Sequence, residues 1–118
     1  DAFLVKTDAA GNQEWSQAYG GTATDHGRSV DQTDDGGYII SGYTDSFGTN
    51  GFDFWLIKTD IEGNLEWHET YTDYGNDRGL WGQQTVDGGY VITGYSDSNS
   101  NSVPDVILIK TDDLGNTD

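Results

Sequence analysis

The chain repeats itself. Displaced by 52 residues, it matches itself without a gap: residues 1–52 pair with 53–104, residues 105–118 open a third copy, and 23 of the 52 positions shared by the first two are identical. Matched pairs include Leu4/Leu56, Lys6/Lys58, Asp8/Asp60, Gly11/Gly63, Trp15/Trp67, Tyr19/Tyr71, Asp25/Asp77 and the Gly-Gly-Tyr of 36–38 and 88–90. The third copy returns Lys110, Thr111, Asp112, Gly115 and Asn116. A fixed period in this range implies a solenoid, a propeller or an array, in which one supersecondary unit is used again and again. The 118 residues therefore read as one segment built of whole and partial repeats.

Each period reads as four strands. In the second copy, Phe54 to Thr59 (Phe-Trp-Leu-Ile-Lys-Thr) is a nearly continuous apolar run, the pattern of a strand covered on both faces. A turn follows at 60–64. Leu65 to Tyr71 then alternates apolar with polar, as a half-exposed outer strand does. Gly79 to Thr85 is a more polar strand. Val86-Asp87-Gly88-Gly89 reads as a hairpin in the primed turn geometry, and Tyr90 to Tyr95 completes the set. No stretch carries a helical period of useful length.

Short antiparallel strands whose middle members are apolar on both faces suit a sheet sandwiched between two others, as a propeller blade is. The expected class is all-β: β-propeller blades, each a four-stranded antiparallel meander of one 52-residue repeat, about two of them here in an incomplete ring. The polar strand would lie innermost, followed by Tyr38 to Tyr43, Phe54 to Thr59 and, outermost, Leu65 to Tyr71. On that order residues 1–19 supply the outer two strands of one blade, 27–71 a whole blade and 79–112 the inner three of another.

The pattern Lys-Thr-Asp-x-x-Gly-Asn-x-x-Trp at 6–15 and 58–67, with Asp-Gly-Gly-Tyr-[IV]-Ile-[ST]-Gly-Tyr-[TS]-Asp-Ser at 35–46 and 87–98, resembles the tandem propeller repeats of secreted bacterial and archaeal proteins. The Asp8/Gly11/Trp15 and Asp60/Gly63/Trp67 spacing is more distantly similar to the tryptophan-docking motif of quinoprotein-dehydrogenase-like blades. The resemblance implies a ring of several blades and an extracellular or cell-surface setting. Residues that would hold a quinone cofactor are not in view, so it implies no catalysis.

Propellers have about 4–8 blades. Either further repeats of a longer chain complete the ring, or copies of this chain join head to tail through their unfinished end blades, closing into a ring (six blades from three chains) or growing into a filament. The chain starts at Asp1 without Met, as a mature product or an excerpt would. It carries 21 Asp and Glu against 5 Lys and Arg, a net charge of −16, which repels phosphate backbones and anionic lipid. No apolar run approaches the ~20 residues of a membrane span, and without Cys there is no disulfide or thiolate chemistry.

The recurring loop acids are the first site candidates. Asp25 and Asp77 precede the innermost strand, while Asp45, Asp97, Asp53 and Asp105, with Asp1, flank the connection between the second and third strands. Two readings stay open: these carboxylates make side-chain turns and cap strand ends, or they supply hard oxygen ligands to Ca²⁺. Trp81 is set apart because its counterpart is Ser29, so the repeat does not require it. An exposed ring there would stack on a sugar. Asp8/Asp60/Asp112 and Gly11/Gly63/Gly115 read as turn residues, Trp15, Trp67, Phe3 and Trp55 as packing residues, and Lys6/Lys58/Lys110 as members of Lys–Asp pairs between blades. His26 and His68 occupy non-equivalent positions and make no zinc pattern, and no nucleophile elbow, P-loop or dinucleotide fingerprint occurs. The chain thus reads as a non-enzymatic structural or interaction module of an extracellular assembly. The alternative is a lectin-like, Ca²⁺-assisted carbohydrate binder.

Overall fold

The computed structural model describes residues 1–72, 75–97 and 103–117, and every regular element among them is a strand. In chain order these are β1 (Ala2–Thr7), β2 (Gln13–Tyr19), β3 (Asp25–Gln32), β4 (Tyr38–Thr44), β5 (Asp53–Thr59), β6 (Leu65–Tyr71), β7 (Asp77–Gln84), β8 (Tyr90–Ser96) and β9 (Asp105–Thr111). They form three antiparallel sheets whose order follows the chain: β1-β2, β3-β4-β5-β6 and β7-β8-β9. The all-β class and the grouping into two, four and three strands agree with the repeat. Several boundaries move by one residue, which makes Asp53 and Asp105 the first residues of β5 and β9; β3 and β7 begin two residues earlier than the pattern indicates, so Asp25 and Asp77 are strand residues, both buried.

The turns follow from residue chemistry. In each copy of Asp-x-x-Gly-Asn, one carboxylate oxygen of the Asp (8, 60, 112) accepts from the backbone two and four residues on, at 2.8–2.9 Å. The glycine closing the turn takes a φ of +86°, +80° or +85° at Gly11, Gly63 and Gly115, a left-handed region that only glycine enters without strain. The Asp-Gly-Gly hairpins correct the expected primed geometry. Gly88 N donates to Thr85 O at 3.0 Å and Thr85 N to Gly89 O at 2.8 Å, which encloses a three-residue loop with Gly88 at φ +86°. That is the turn-plus-bulge hairpin, not a two-residue primed turn. Gly89 serves a different need, because a side chain there would collide with the Thr111 carbonyl.

Two apolar clusters lie on opposite faces of the middle sheet. Trp55, Ile57 and Ile40 pack with Ala2 and Tyr19 of the first sheet; Phe54, Leu56 and Ile39 pack with Tyr90 and Ile92 of the third. Hence β5 is buried along its whole length, as its unbroken apolar run requires. The two junctions are built alike. Tyr19 Oη donates to Gly63 O at 2.6 Å and Tyr71 Oη to Gly115 O at 2.6 Å, 44 residues ahead in both cases. Trp15 presses on Gly63 and meets Tyr38 edge-on at 5.8 Å, just as Trp67 presses on Gly115 and meets Tyr90 at 5.6 Å. Phe3 departs from its expected core role: it shares a repeat position with buried Trp55 but lies exposed, because its face of the first sheet is uncovered.

Burial pushes the Tyr19 and Tyr90 hydroxyls up to about 12, and that of Tyr71 up as well. A phenol that titrates higher folded than unfolded contributes stability that is complete below pH 10 and lost as the pH climbs through the folded value. Thermal melts are therefore expected to fall steeply between about pH 10 and 12. Tyr19→Phe and Tyr71→Phe should each cost about 1 kcal/mol at pH 7, by orphaning a carbonyl, and should shrink that alkaline loss.

Candidate functional site

The acidic candidates sit at strand starts and in the adjoining loops. Asp25 accepts from the Thr44 hydroxyl, from Gly21 N at 3.0 Å and from the Ser46 hydroxyl at 2.9 Å. Burial raises the Asp25 carboxyl, but these bonds outweigh it and hold it below the usual carboxylate range. Asp53 accepts from Thr49 N at 2.8 Å and Thr49 Oγ1 at 3.1 Å. Asp77 is buried at the start of β7, its backbone N donating to Phe52 O at 2.6 Å. Asp45, Asp97 and Asp105 are exposed, and Asp97 accepts from Asn76 N at 2.8 Å. Asp1 and Asp25 converge on Gly20, where any side chain would strike both carboxylates. Among the described residues, no three Asp, Glu, His or Cys side chains gather in a metal-binding group. Asp25 and Asp53 thus tie loops to strand ends through hydroxyl and amide donors, the bonding of a cap.

The three lysines do pair with acids, but within a sheet and not between sheets. Lys58, 3% exposed, reaches Asp35 at 2.9 Å, Glu66 at 3.2 Å and the Thr59 carbonyl at 2.7 Å. A lateral bond of this kind follows from register, since Lys58 on β5 stands beside Trp67 on β6 and Ile39 on β4. Among the described residues, Lys6 pairs with Glu14 of the neighbouring strand at 2.7 Å, and Lys110 with the hairpin acid Asp87 at 3.0 Å. Hydrogen bonds from the Thr33 hydroxyl, Gly37 N and Lys58 hold the Asp35 carboxyl down at about 2.

Trp81 is 58% exposed. Through the register Trp81↔Thr93↔Leu108 it lies on the face of the third sheet turned away from the middle sheet, beside Leu108. Its counterpart Ser29 plays a different part. Ser29 Oγ accepts from Gly82 N at 3.1 Å and bonds Ser41 Oγ at 2.5 Å, drawing β3 and β7 together. A tryptophan in that place holds any covering layer further off.

Two constellations lie outside what the sequence pattern indicates. In the first, Arg78 lies 5.3–5.8 Å from the ring centroids of Phe52, Tyr43 and Tyr95, while His26 stacks on Tyr43 at 4.7 Å. This cation–π group closes the end of the second junction. In the second, Phe47, Trp55 and His68 meet in a triad: Phe47 lies 5.7 Å from Trp55 and 4.7 Å from His68, and Trp55 Nε1 donates to His68 Nδ1 at 3.2 Å. They wall a cleft of about 310 Å³ between the first two sheets, with Gln17 and Tyr19 on its other side.

The signal for both is present in the sequence, as departure from the repeat. Phe47 stands where the sister repeat has Asn99, His68 where it has Ser16, and Arg78 where it has His26. A template position explains the fold; a broken one asks for another reason. No protein-family model and no curated protein matches the chain.

Proposed function

We propose that the three sheets are successive blades of a β-propeller, and that the chain is a non-catalytic structural module of an extracellular assembly whose open faces receive further copies of the same repeat. One observation carries the reading. The middle sheet is covered on both faces by its siblings through matching contacts, whereas the same repeat positions are bare on the outer faces of the end sheets. Phe3 and Val5 on one side match Trp55 and Ile57; Val106 and Leu108 on the other, 84% and 71% exposed, match Phe54 and Leu56. Apolar surface of this kind marks an interaction site, and faces of opposite sense give a head-to-tail contact that forms a ring if the rotation closes and a filament if it does not. The partner is a further repeat, on a longer chain or a second copy. Trp81 shares the open face with Leu108, a setting that suits a covering sheet better than a sugar.

Sedimentation equilibrium tests it. The 118-residue chain is expected to show concentration-dependent masses above 12.9 kDa, with rings or fibres by electron microscopy. Phe3→Asp and Leu108→Asp should each return it to a folded monomer. A wild-type chain of 12.9 kDa at every concentration overturns the reading.

A further inference from the structure

We propose that the cleft walled by Phe47, Trp55 and His68 is a binding site for one residue of a neutral saccharide, independent of whether the sheets assemble further. Its boundaries are complete in this chain, since the outer strands on both sides, β2 and β6, are present. That separates it from the grooves along the open edge of β1 and beside β9, which more sheet would fill. Its volume of about 310 Å³ lies at the small end of ligand pockets.

The lining selects the ligand by elimination. Among the described residues, not one Asp, Glu, Lys or Arg lines the cleft, so nothing neutralises a charged guest. The −16 field of the whole chain repels anions besides. What remains is apolar ring surface from Phe47 and Tyr19, with hydrogen-bonding groups set at its margins. The Trp55 indole occupies His68 Nδ1, so the imidazole proton sits on Nε2. That N–H has no partner among the described residues and is free to meet a hydroxyl oxygen. The Gln17 amide offers a donor and an acceptor from the opposite wall. A flat apolar face edged by hydroxyls is the shape of a pyranose. Most of the lining leaves the repeat, and the departures include the groups that matter here: Phe47, His68 and Gln17, the last replaced by Glu69 in the sister copy.

Nitrogen–proton NMR on the 118-residue chain tests the site, with cellohexaose, xylohexaose, mannohexaose and chitohexaose as probes. At least one is expected to shift the Trp55 indole resonance saturably, with a Kd of about 1 mM or tighter. Phe47→Asn and His68→Ser, which install the residues of the sister repeats, should each weaken that binding tenfold or more. If Phe47→Asn fails to fold, His68→Ser, tucked against the same indole, carries the test. Absence of any shift with all four probes at about 10 mM, or binding that both variants retain, overturns the proposal. Neither result depends on the sedimentation behaviour, so this site and the assembly reading fail separately.

Discussion

Trp55→Ala is expected to lower stability by about 3–5 kcal/mol, read as a shift in the urea midpoint. Trp55 is the largest side chain wholly inside the molecule, and it belongs to the cluster that joins the first two sheets. Its removal opens a void beside Ala2 and Tyr19 that strands fixed by their ladders cannot collapse to fill. It also withdraws the donor from His68. A loss of this size is a large fraction of the roughly 5–15 kcal/mol that holds a domain together. The control is Phe3→Ala at the matching repeat position, where the side chain is exposed. In dilute monomer that change should stay within about 0.5 kcal/mol. Equal effects at both positions would mean that the two faces are equally buried, and the arrangement of sheets described above would be wrong.

The second large effect is electrostatic. Asp35→Asn with Glu66→Gln keeps the shape of both partners but leaves the Lys58 ammonium, nearly free of solvent, with no counter-charge. Uncompensating a buried charge costs about 3–5 kcal/mol, and the partial exposure of both acids places the expected value near the bottom of that range. Adding Lys58→Met should recover most of the loss, because an apolar side chain of similar length suits the same space. The exposed pair Lys6–Glu14 provides the contrast, where Glu14→Gln should move the urea midpoint far less. Full loss that Lys58→Met fails to relieve would show that the acids act through something other than the lysine.

The architecture is legible because a repeat reports burial twice. Phe54 to Thr59 could be a buried strand or a fragment of helix by apolarity alone; its recurrence at 106–111, with turn chemistry at fixed distance, removes the choice. Strand order follows from grading the strands by polarity. Where pattern and structure part, side-chain geometry decides. The direction of the lysine pairs depends on which neighbour a register places alongside, and the hairpin type depends on which of two glycines takes the positive φ. A repeat treats all its copies alike and so points Phe3 toward a core, whereas burial depends on whether a neighbour lies against that copy. The cleft is hidden for the opposite reason: Phe47 and His68 match nothing in the sister repeat, so no repeated spacing brings them together.

The paired tyrosine and tryptophan contacts at the two junctions carry one more implication. Each fastening reaches forward by the same 44 residues and uses only groups that every complete repeat possesses. The seam between neighbours is therefore portable: a 52-residue cassette spliced between residues 52 and 53 would bring its own phenol for the carbonyl ahead and its own glycine for the indole behind. Growth by duplication would then need no new chemistry at each addition, only another length of the same thread.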